Sequence, residues 1–464
     1  MGIVSPLGIG LAETLGALRE GRDCVQPVTA FDTSKCRSTM AGQVPALDHA
    51  RDRRSKRLHR ASHMMIEAVR EMLSADPGCA PDAMVIGTTS GGMSFGERFY
   101  RAQVERRRPA DRAALLANYP PQKAPLDALE AGGFRAPVQI IANACASGTN
   151  AIGHAFRLVR AGMHRRAWCG GYDVLSELVF TGFDSLQAAT TEKVRPFDRG
   201  RSGLVLGEGA ALLALEDLDS ARGRGAPILA EITGYGISTD NHHLTQPHPS
   251  GIGPAMAMRR ALEDAALAAG DVDYINAHGT ATAFNDASEG AAIAEIFGAG
   301  VPVSSTKGMM GHSLGAAGAI EAVFGMLAIR HGFLPPNINY REPDPAWELD
   351  IVANSARDAR VGCVVSNSFG AGEHAAIVEM TNPETGRVFH AAPVPAASVA
   401  HLNREPRLRR ASSISLLAAA AGKAALADAG IDLTPEFRSR LAIVFGVSSG
   451  GVQYTRRYYS QVVK

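Results

Sequence analysis

Short apolar runs alternate with longer stretches of helix-forming residues along most of the chain. Runs of about four to eight apolar residues are typical of buried strands, and their alternation with helices is typical of α/β proteins. The predicted strands are Ala83–Gly87, Pro137–Ala144, Ala167–Gly171, Leu204–Leu215, Ile228–Tyr235, Val272–Ala277, Val301–Ser305 and Val361–Ser366. The predicted helices are Arg60–Leu73, Gly148–Ala161, Pro254–Ala269, Asp286–Phe297 and Leu314–His331.

The composition is that of a globular protein without a strong charge. Of 464 residues, 46% are apolar and 20% are charged, which argues against disorder over most of the length. The formal net charge of +1 gives no overall field that would attract nucleic acid or an anionic membrane. The six cysteines form no CxxC pair, and we find no apolar run of the ~18 residues that span a bilayer. We therefore expect a reduced, cytoplasmic protein with no nucleic-acid or membrane partner.

The alternation stops at a proline-containing region over residues 382–400, which we interpret as a linker. Beyond it, RLRRAS (407–412) repeats RLHRAS (57–62), and FGVSSGG (445–451) repeats IGTTSGG (86–92). Two repeated segments in the same order indicate an internal duplication. We predict a first domain over residues 1–381 and the start of a second, truncated copy over 401–464.

Cys145 lies in a segment that is predicted to run from a strand through a tight turn into a helix. At the start of a helix, unsatisfied amides and the positive end of the helix dipole stabilise a thiolate. A buried cysteine is more often structural than reactive, so the prediction of a nucleophile depends on its neighbours.

Two histidines and an ion pair supply such neighbours. His278 follows the apolar strand that ends at Ala277, and His312 precedes a helix of small residues. Lys307 and Glu321 flank His312, and we interpret them as one buried network. Histidines at strand ends are typical of sites that handle a carboxylate or a proton.

Five segments identify a family because they occur together in one order. They are NACASGTNAIG (143–153), RPFDRGRSGLVLGEGA (195–210), NAHGTATAFNDASE (276–289), SSTKGMMGHSLGAAGAIEA (304–322) and SNSFGAGE (366–373). With them the chain resembles the β-ketoacyl-acyl-carrier-protein synthases of the elongating Cys-His-His type, in the thiolase-fold superfamily. The resemblance implies a five-layered α/β/α/β/α fold with two related halves, about 1–227 and 228–381.

The resemblance also implies roles for single residues. Cys145 would take an acyl chain from the phosphopantetheine arm of an acyl carrier protein, and His278 and His312 would serve the decarboxylation of a malonyl thioester. Lys307 and Glu321 would support His312, and Phe369 would act as a gate. Thr280 and Thr282 would contact the pantetheine arm. No cofactor bound to the chain itself is implied.

The implied activity is decarboxylative Claisen condensation in fatty-acid, polyketide or aryl-polyene-type biosynthesis, in a homodimer or in a pseudo-dimer with the second copy. The alternative is a non-elongating subunit of a synthase complex, such as a chain-length factor, a decarboxylase or a scaffold. One departure from the family pattern is that its first strand is expected to be missing, because Met1 stands near the end of that strand.

Overall fold

The computed structural model describes residues 1–47, 57–107, 111–240, 242–243 and 246–370. The chain divides into two units, Met1–His374 and Ala375–Lys464. The second unit lies outside the described residues, and with it the predicted linker (382–400) and the predicted second copy (401–464).

The described residues form a mixed six-stranded sheet, a parallel four-stranded sheet and two small two-stranded sheets. The strands are β1 (Gly2–Ser5), β2 (Gly8–Ile9), β3 (Val25–Pro27), β4 (Met40–Gly42), β5 (Ala83–Gly87), β6 (Val138–Ile141), β7 (Arg166–Asp173), β8 (Gly209–Glu216), β9 (Tyr274–Asn276), β10 (Pro302–Ser304), β11 (Phe333–Leu334), β12 (Asp350–Ile351), β13 (Arg357–Asp358) and β14 (Val364–Ser366). The larger sheet has the order β2-β1-β8-β7-β5-β6, and the smaller one has the order β12-β10-β9-β14. In the larger sheet β5 runs parallel to β6 and β7, whereas β8 runs antiparallel to β7 and β1.

The helices are α1 (Leu11–Glu20), α2 (Arg60–Ala75), α3 (Met93–Val104), α4 (Arg112–Ala117), α5 (Lys123–Ala131), α6 (Ser147–Arg160), α7 (Glu177–Ser185), α8 (Leu218–Gly223), α9 (Ile252–Ala265), α10 (Ala283–Phe297), α11 (Lys307–Met310) and α12 (Ala317–His331). Short 3-10 turns, Ala144–Ala146 and Leu314–Ala316, lead directly into α6 and α12. The five helices predicted from the sequence are therefore present, with ends displaced by a few residues.

The helices and sheets stack in five layers. Helix α2 packs on the outer face of the larger sheet, and α6 and α12 pack on its inner face. Helix α12 also contacts β14 of the smaller sheet, whose outer face is covered by α9 and α10. Strand β5 is buried on both faces, which explains its continuous apolar run. The layers match the predicted α/β/α/β/α thiolase-like fold.

The helical stretch Leu314–His331 is long and apolar enough to cross a membrane by length and composition alone. However, 72% of it is buried inside the structure. Its apolar residues belong to the core shared with the sheets, so packing accounts for its composition.

Two strand predictions need correction. Ile228–Tyr235 forms no strand, and no strand partner for it lies among the described residues. The segment predicted as Leu204–Leu215 forms β8 only from Gly209, since residues 205–207 bond to the backbone of His312 instead. The chain opens with a four-residue strand, β1, which pairs with Ala210–Leu212 of β8; the expected loss of the family's first strand stays a prediction.

Candidate active site

Cys145 lies in a strained turn between β6 and α6. The preceding residue, Ala144, has a φ of 54°, in the left-handed region that a residue with a Cβ adopts at a cost of ~1 kcal/mol or more. Two hydroxyls hold this turn, because Ser147 Oγ and Thr89 Oγ1 donate to the Ala144 carbonyl at 2.6 and 3.1 Å. The turn places the thiol, 8% exposed, at the inner end of α6.

His278 follows β9 and is held by its backbone. Its amide and that of Gly279 donate to the two carboxylate oxygens of Glu289 on α10, at 2.8 and 2.7 Å. Ser305 Oγ donates to the Gly279 carbonyl at 2.7 Å and so joins this loop to the end of β10. Nδ1 of the imidazole is buried and has no hydrogen-bond partner within the described part of the chain.

His312 is held between two extended backbone segments. Its amide donates to the Val205 carbonyl at 2.7 Å, and its own carbonyl accepts from the Gly207 amide at 2.8 Å. Both ring nitrogens are buried and have no hydrogen-bond partner among the residues described. The ring is therefore free to bond with a substrate atom.

The three side chains converge on one point. Sγ of Cys145 and one nitrogen from each of His278 and His312 all lie within 4.8 Å of one another. The two imidazoles meet edge to face with centroids 5.1 Å apart, and the Phe369 ring lies 6.0 Å from His278. A nucleophile, two potential hydrogen-bond donors and an aromatic side chain thus share one buried site.

Burial sets the protonation state of these groups. It lowers the pKa of both His278 and His312 well below 6.5, and the nearby charge of Lys307 lowers them further. Both rings are therefore neutral at physiological pH, and each carries one N–H.

Burial raises the pKa of the Cys145 thiol to about 12, although the charge of Lys307 acts in the opposite direction. Burial thus opposes the thiolate that the start of the helix was expected to stabilise.

Lys307 and Glu321 form a fully buried ion pair. Nζ of Lys307 donates to Oε1 of Glu321, and their side chains are only 1% and 0% exposed. Burial raises the pKa of Glu321 to about 7, and Lys307 opposes this shift. Within this pair, it is the positive charge of Lys307 that acts on the two histidines.

The remaining predicted site residues lie on the same loops. Thr280 and Thr282 follow His278, and their hydroxyls are 2.9 Å apart. Phe369 is 9% exposed and lies three residues beyond β14. The structure thus brings Phe369 to His278 and places the threonines along the loop from His278 to α10.

Sequence reasoning missed two acidic residues that shape this loop. Asp286 accepts from the amides of Phe197 and Ala281, and Glu289 accepts from the His278 loop and from Asn367 Nδ2 at 3.1 Å. Both carboxylates are fully buried in the first half of α10. Their spacing of three residues in NDASE puts them on one helix face, which is a signal that the sequence does contain.

Cys145, His278 and His312 are also the one set of three His, Cys, Asp or Glu side chains that the described ranges bring close enough to share a metal ion. A thiolate and two imidazoles would suit a soft cation such as Zn²⁺.

We expect iodoacetamide labelling of Cys145 to rise about tenfold per pH unit between pH 7 and 9. Below a pKa near 12 the thiolate fraction grows tenfold with each unit, and only the thiolate reacts. Peptide mass spectrometry would measure labelling, with the fully buried Cys169 as an internal control. A plateau below pH 8 would contradict the raised pKa.

We expect Lys307→Met to lower the free energy of unfolding by about 3–5 kcal/mol, because it leaves Glu321 buried without its partner. The double variant Lys307→Met/Glu321→Leu should regain most of that loss, since no charge stays buried. Chemical denaturation followed by circular dichroism would measure both. Equal stability of the single variant and the unchanged protein would show that Glu321 does not depend on the pair.

Known proteins resemble this chain in sequence and in fold. Residues 1–221 match the model of the beta-ketoacyl synthase N-terminal domain, and residues 229–341 match that of the C-terminal domain. The chain is 36% identical over 397 residues to the 3-oxoacyl-[acyl-carrier-protein] synthase 2 of Synechocystis, covering 81% of this chain and 94% of that protein. The solved ishigamide ketosynthase/chain length factor superposes with a TM-score of 0.74 at 34% identity, covering 80% of this chain and 95% of that one.

A second solved structure, AntDE:AntF, holds a type II polyketide synthase acyl-carrier protein in complex with its ketosynthase. It superposes with a TM-score of 0.72 at 27% identity and covers 80% of this chain and 95% of that one. Since the two family models together match most of the chain, it belongs to the beta-ketoacyl synthase family.

Proposed function

We propose that this chain is an acyltransferase that condenses an acyl thioester with malonyl-acyl carrier protein and releases carbon dioxide. The observation that carries the proposal is the convergence of Cys145, His278 and His312 within 4.8 Å in a buried site. Similarity to 3-oxoacyl-[acyl-carrier-protein] synthase 2 supports the same activity.

In the first step, Cys145 takes the acyl group. Its sulfur forms a bond to the thioester carbonyl carbon, the bond from that carbon to the pantetheine sulfur breaks, and the thiol proton leaves with the carrier's sulfur. Covalent transfer divides one difficult condensation into two easier steps. The backbone amides of Cys145 and Phe369 are the proposed donors to the oxyanion of the tetrahedral intermediate.

In the second step, malonyl thioester loses carbon dioxide and its C–C bonding electrons move into an enolate. His278 and His312 stabilise the enolate oxygen through the one N–H group that each neutral ring carries. Their lowered pKa values keep both rings neutral near pH 7. The carbanion then attacks the acyl carbon, and the Cys145 sulfur leaves as a thiolate, which takes one proton from solvent to restore the thiol.

Thr280 and Thr282 are the proposed contacts of the pantetheine arm, which enters with the carrier protein and is not a resident cofactor. Their hydroxyls face each other at 2.9 Å on the loop that begins at His278. A polar arm that binds there would present its thioester to the histidine.

The decisive experiment is intact-mass analysis of the full chain after incubation with acyl-carrier thioester, with carbon dioxide release from malonyl-carrier protein measured in parallel. We expect an acyl adduct on the unchanged protein, none on Cys145→Ala, and malonyl-dependent extension. Carbon dioxide release without an adduct would instead favour the non-elongating alternative.

We also propose that the synthase works as a dimer or pseudo-dimer of two synthase-like domains. Among the described residues, strand β6 forms one edge of the larger sheet, and its four residues are all partly exposed. An unpaired apolar edge is a template for another strand. The similar ishigamide structure is described as a ketosynthase/chain length factor, so pairing of unequal bodies occurs in that protein.

Light scattering of the full chain over a range of concentrations tests the pairing. We expect a two-chain particle, and we expect Ile140→Lys on the β6 edge to shift it towards single chains because a charge there disfavours strand pairing. A single-chain mass at every concentration would contradict pairing between copies of this chain.

A further inference from the structure

A buried carboxylate outside the catalytic set lies between the two loops that carry Cys145 and His312. Asp173 ends β7 and is 0% exposed. Its donors are the Thr88 hydroxyl (2.9 Å), the Thr89 amide (2.8 Å), the amide and hydroxyl of Ser90 (2.8 and 2.6 Å) and the Gly315 amide (2.7 Å). No cationic side chain in the described ranges forms an ion pair with it. Burial raises the pKa of Asp173, and the hydrogen bonds from residues 88–90 oppose this shift because they stabilise the ionised carboxylate.

On one side, Asp173 fixes the loop behind the nucleophile. Through its bonds to residues 88–90 it orients Thr89, whose hydroxyl donates to the carbonyl of Ala144 at 3.1 Å. Ala144 holds the strained φ that directs Cys145. The carboxylate is therefore two hydrogen bonds away from the turn of the nucleophile.

On the other side, Asp173 fixes the turn that follows His312. Its bond to the Gly315 amide holds the residue that follows Leu314. The φ of Leu314 is 52°, which also lies in the left-handed region. A Cβ on Gly315 would lie 2.7 Å from a carboxylate oxygen of Asp173, so the contact leaves no room for a larger residue. One side chain thus joins the two halves of the site.

We propose that Asp173 is a positioning residue that holds Cys145 and His312 at their working separation. The proposal rests on the proposed condensation for its kinetic readout. Asp173 does not touch the reacting atoms in this arrangement. Its charge also reaches the thiol, since it raises the pKa of Cys145 in addition to the effect of burial.

Asp198 provides a matched control. It is 2% exposed and accepts three backbone amides, from Gly200, Arg341 and Glu342 at 2.6–2.8 Å. It therefore resembles Asp173 as a structural acceptor. However, its partners belong to loops that carry neither Cys145 nor His312.

The test compares Asp173→Asn, Ser90→Ala and Asp198→Asn. In either orientation an amide at 173 turns its NH2 towards at least one N–H group, so we expect kcat for condensation to fall about 100-fold, the size of effect that a misplacement of about 1 Å causes, with KM little changed. The loss of one negative charge should also make iodoacetamide label Cys145 several-fold faster at a given pH. Ser90→Ala, which removes one of the five bonds, should lose about tenfold in kcat. Asp198→Asn should leave the pH profile of labelling unchanged.

Equal losses of kcat in Asp173→Asn and Asp198→Asn, with the same labelling profile in both, would overturn the proposal. If Asp173→Asn does not fold, Ser90→Ala decides, because a folded variant with unchanged kcat would also overturn it. If the unchanged protein does not condense thioesters, the proposed function fails, whereas the labelling comparison still tests the coupling of Asp173 to Cys145.

Discussion

The first turns of α6 and α12 meet with almost no side chains between them, and the geometry of the site depends on this contact. A Cβ on Gly148 would lie 2.7 Å from the carbonyl oxygen of Gly315 and 2.9 Å from the amide of Ala319. Because Cys145 directly precedes α6 and His312 lies just before the turn into α12, the approach of the two backbones sets the distance between nucleophile and imidazole. Small residues at this crossing are therefore a requirement of the site as well as of the core.

Burial in this tightly packed site also controls the protonation of its histidine, cysteine and glutamate side chains. In a medium of low polarity the charged form of an isolated group is disfavoured, so histidines lose a proton and thiols and carboxyls keep theirs. This condition suits a site in which imidazole N–H groups stabilise an enolate. It also explains why Glu289, whose pKa burial raises to about 7, needs backbone donors and Asn367 to balance its charge.

Much of this arrangement could be predicted from the sequence because chemistry and backbone strain concentrate in short segments. Cys145 follows β6 of the larger sheet, His278 follows β9 of the smaller sheet, and His312 lies between α11 and the turn into α12, so each stands at the end of an element. Asp173 could not be predicted in this way. It looks like the last residue of an apolar strand, and its partners at 88–90 and 315 are distant in the chain.

The errors in the predicted strands had a different cause. The apolar pattern of Ile228–Tyr235 indicates a strand, but a strand exists only with a partner, and periodicity does not identify one. The position of His312 likewise changes the pairing of residues 205–207, since backbone groups that bond a catalytic loop cannot also extend β8. In both cases the tertiary contact decided the local structure.

The strained turn before α6 has a counterpart before α12. Ala144 and Leu314 have φ values of 54° and 52°, and each opens a three-residue 3-10 turn followed immediately by a helix. Counted along these turns, Gly315 occupies the position that corresponds to Cys145. The two halves therefore carry the same backbone device, but only one can carry a nucleophile, because a side chain at 315 would collide with Asp173 and with the backbone at 88–89. Of these two turns of the same shape, close packing leaves only the first with room for a side chain.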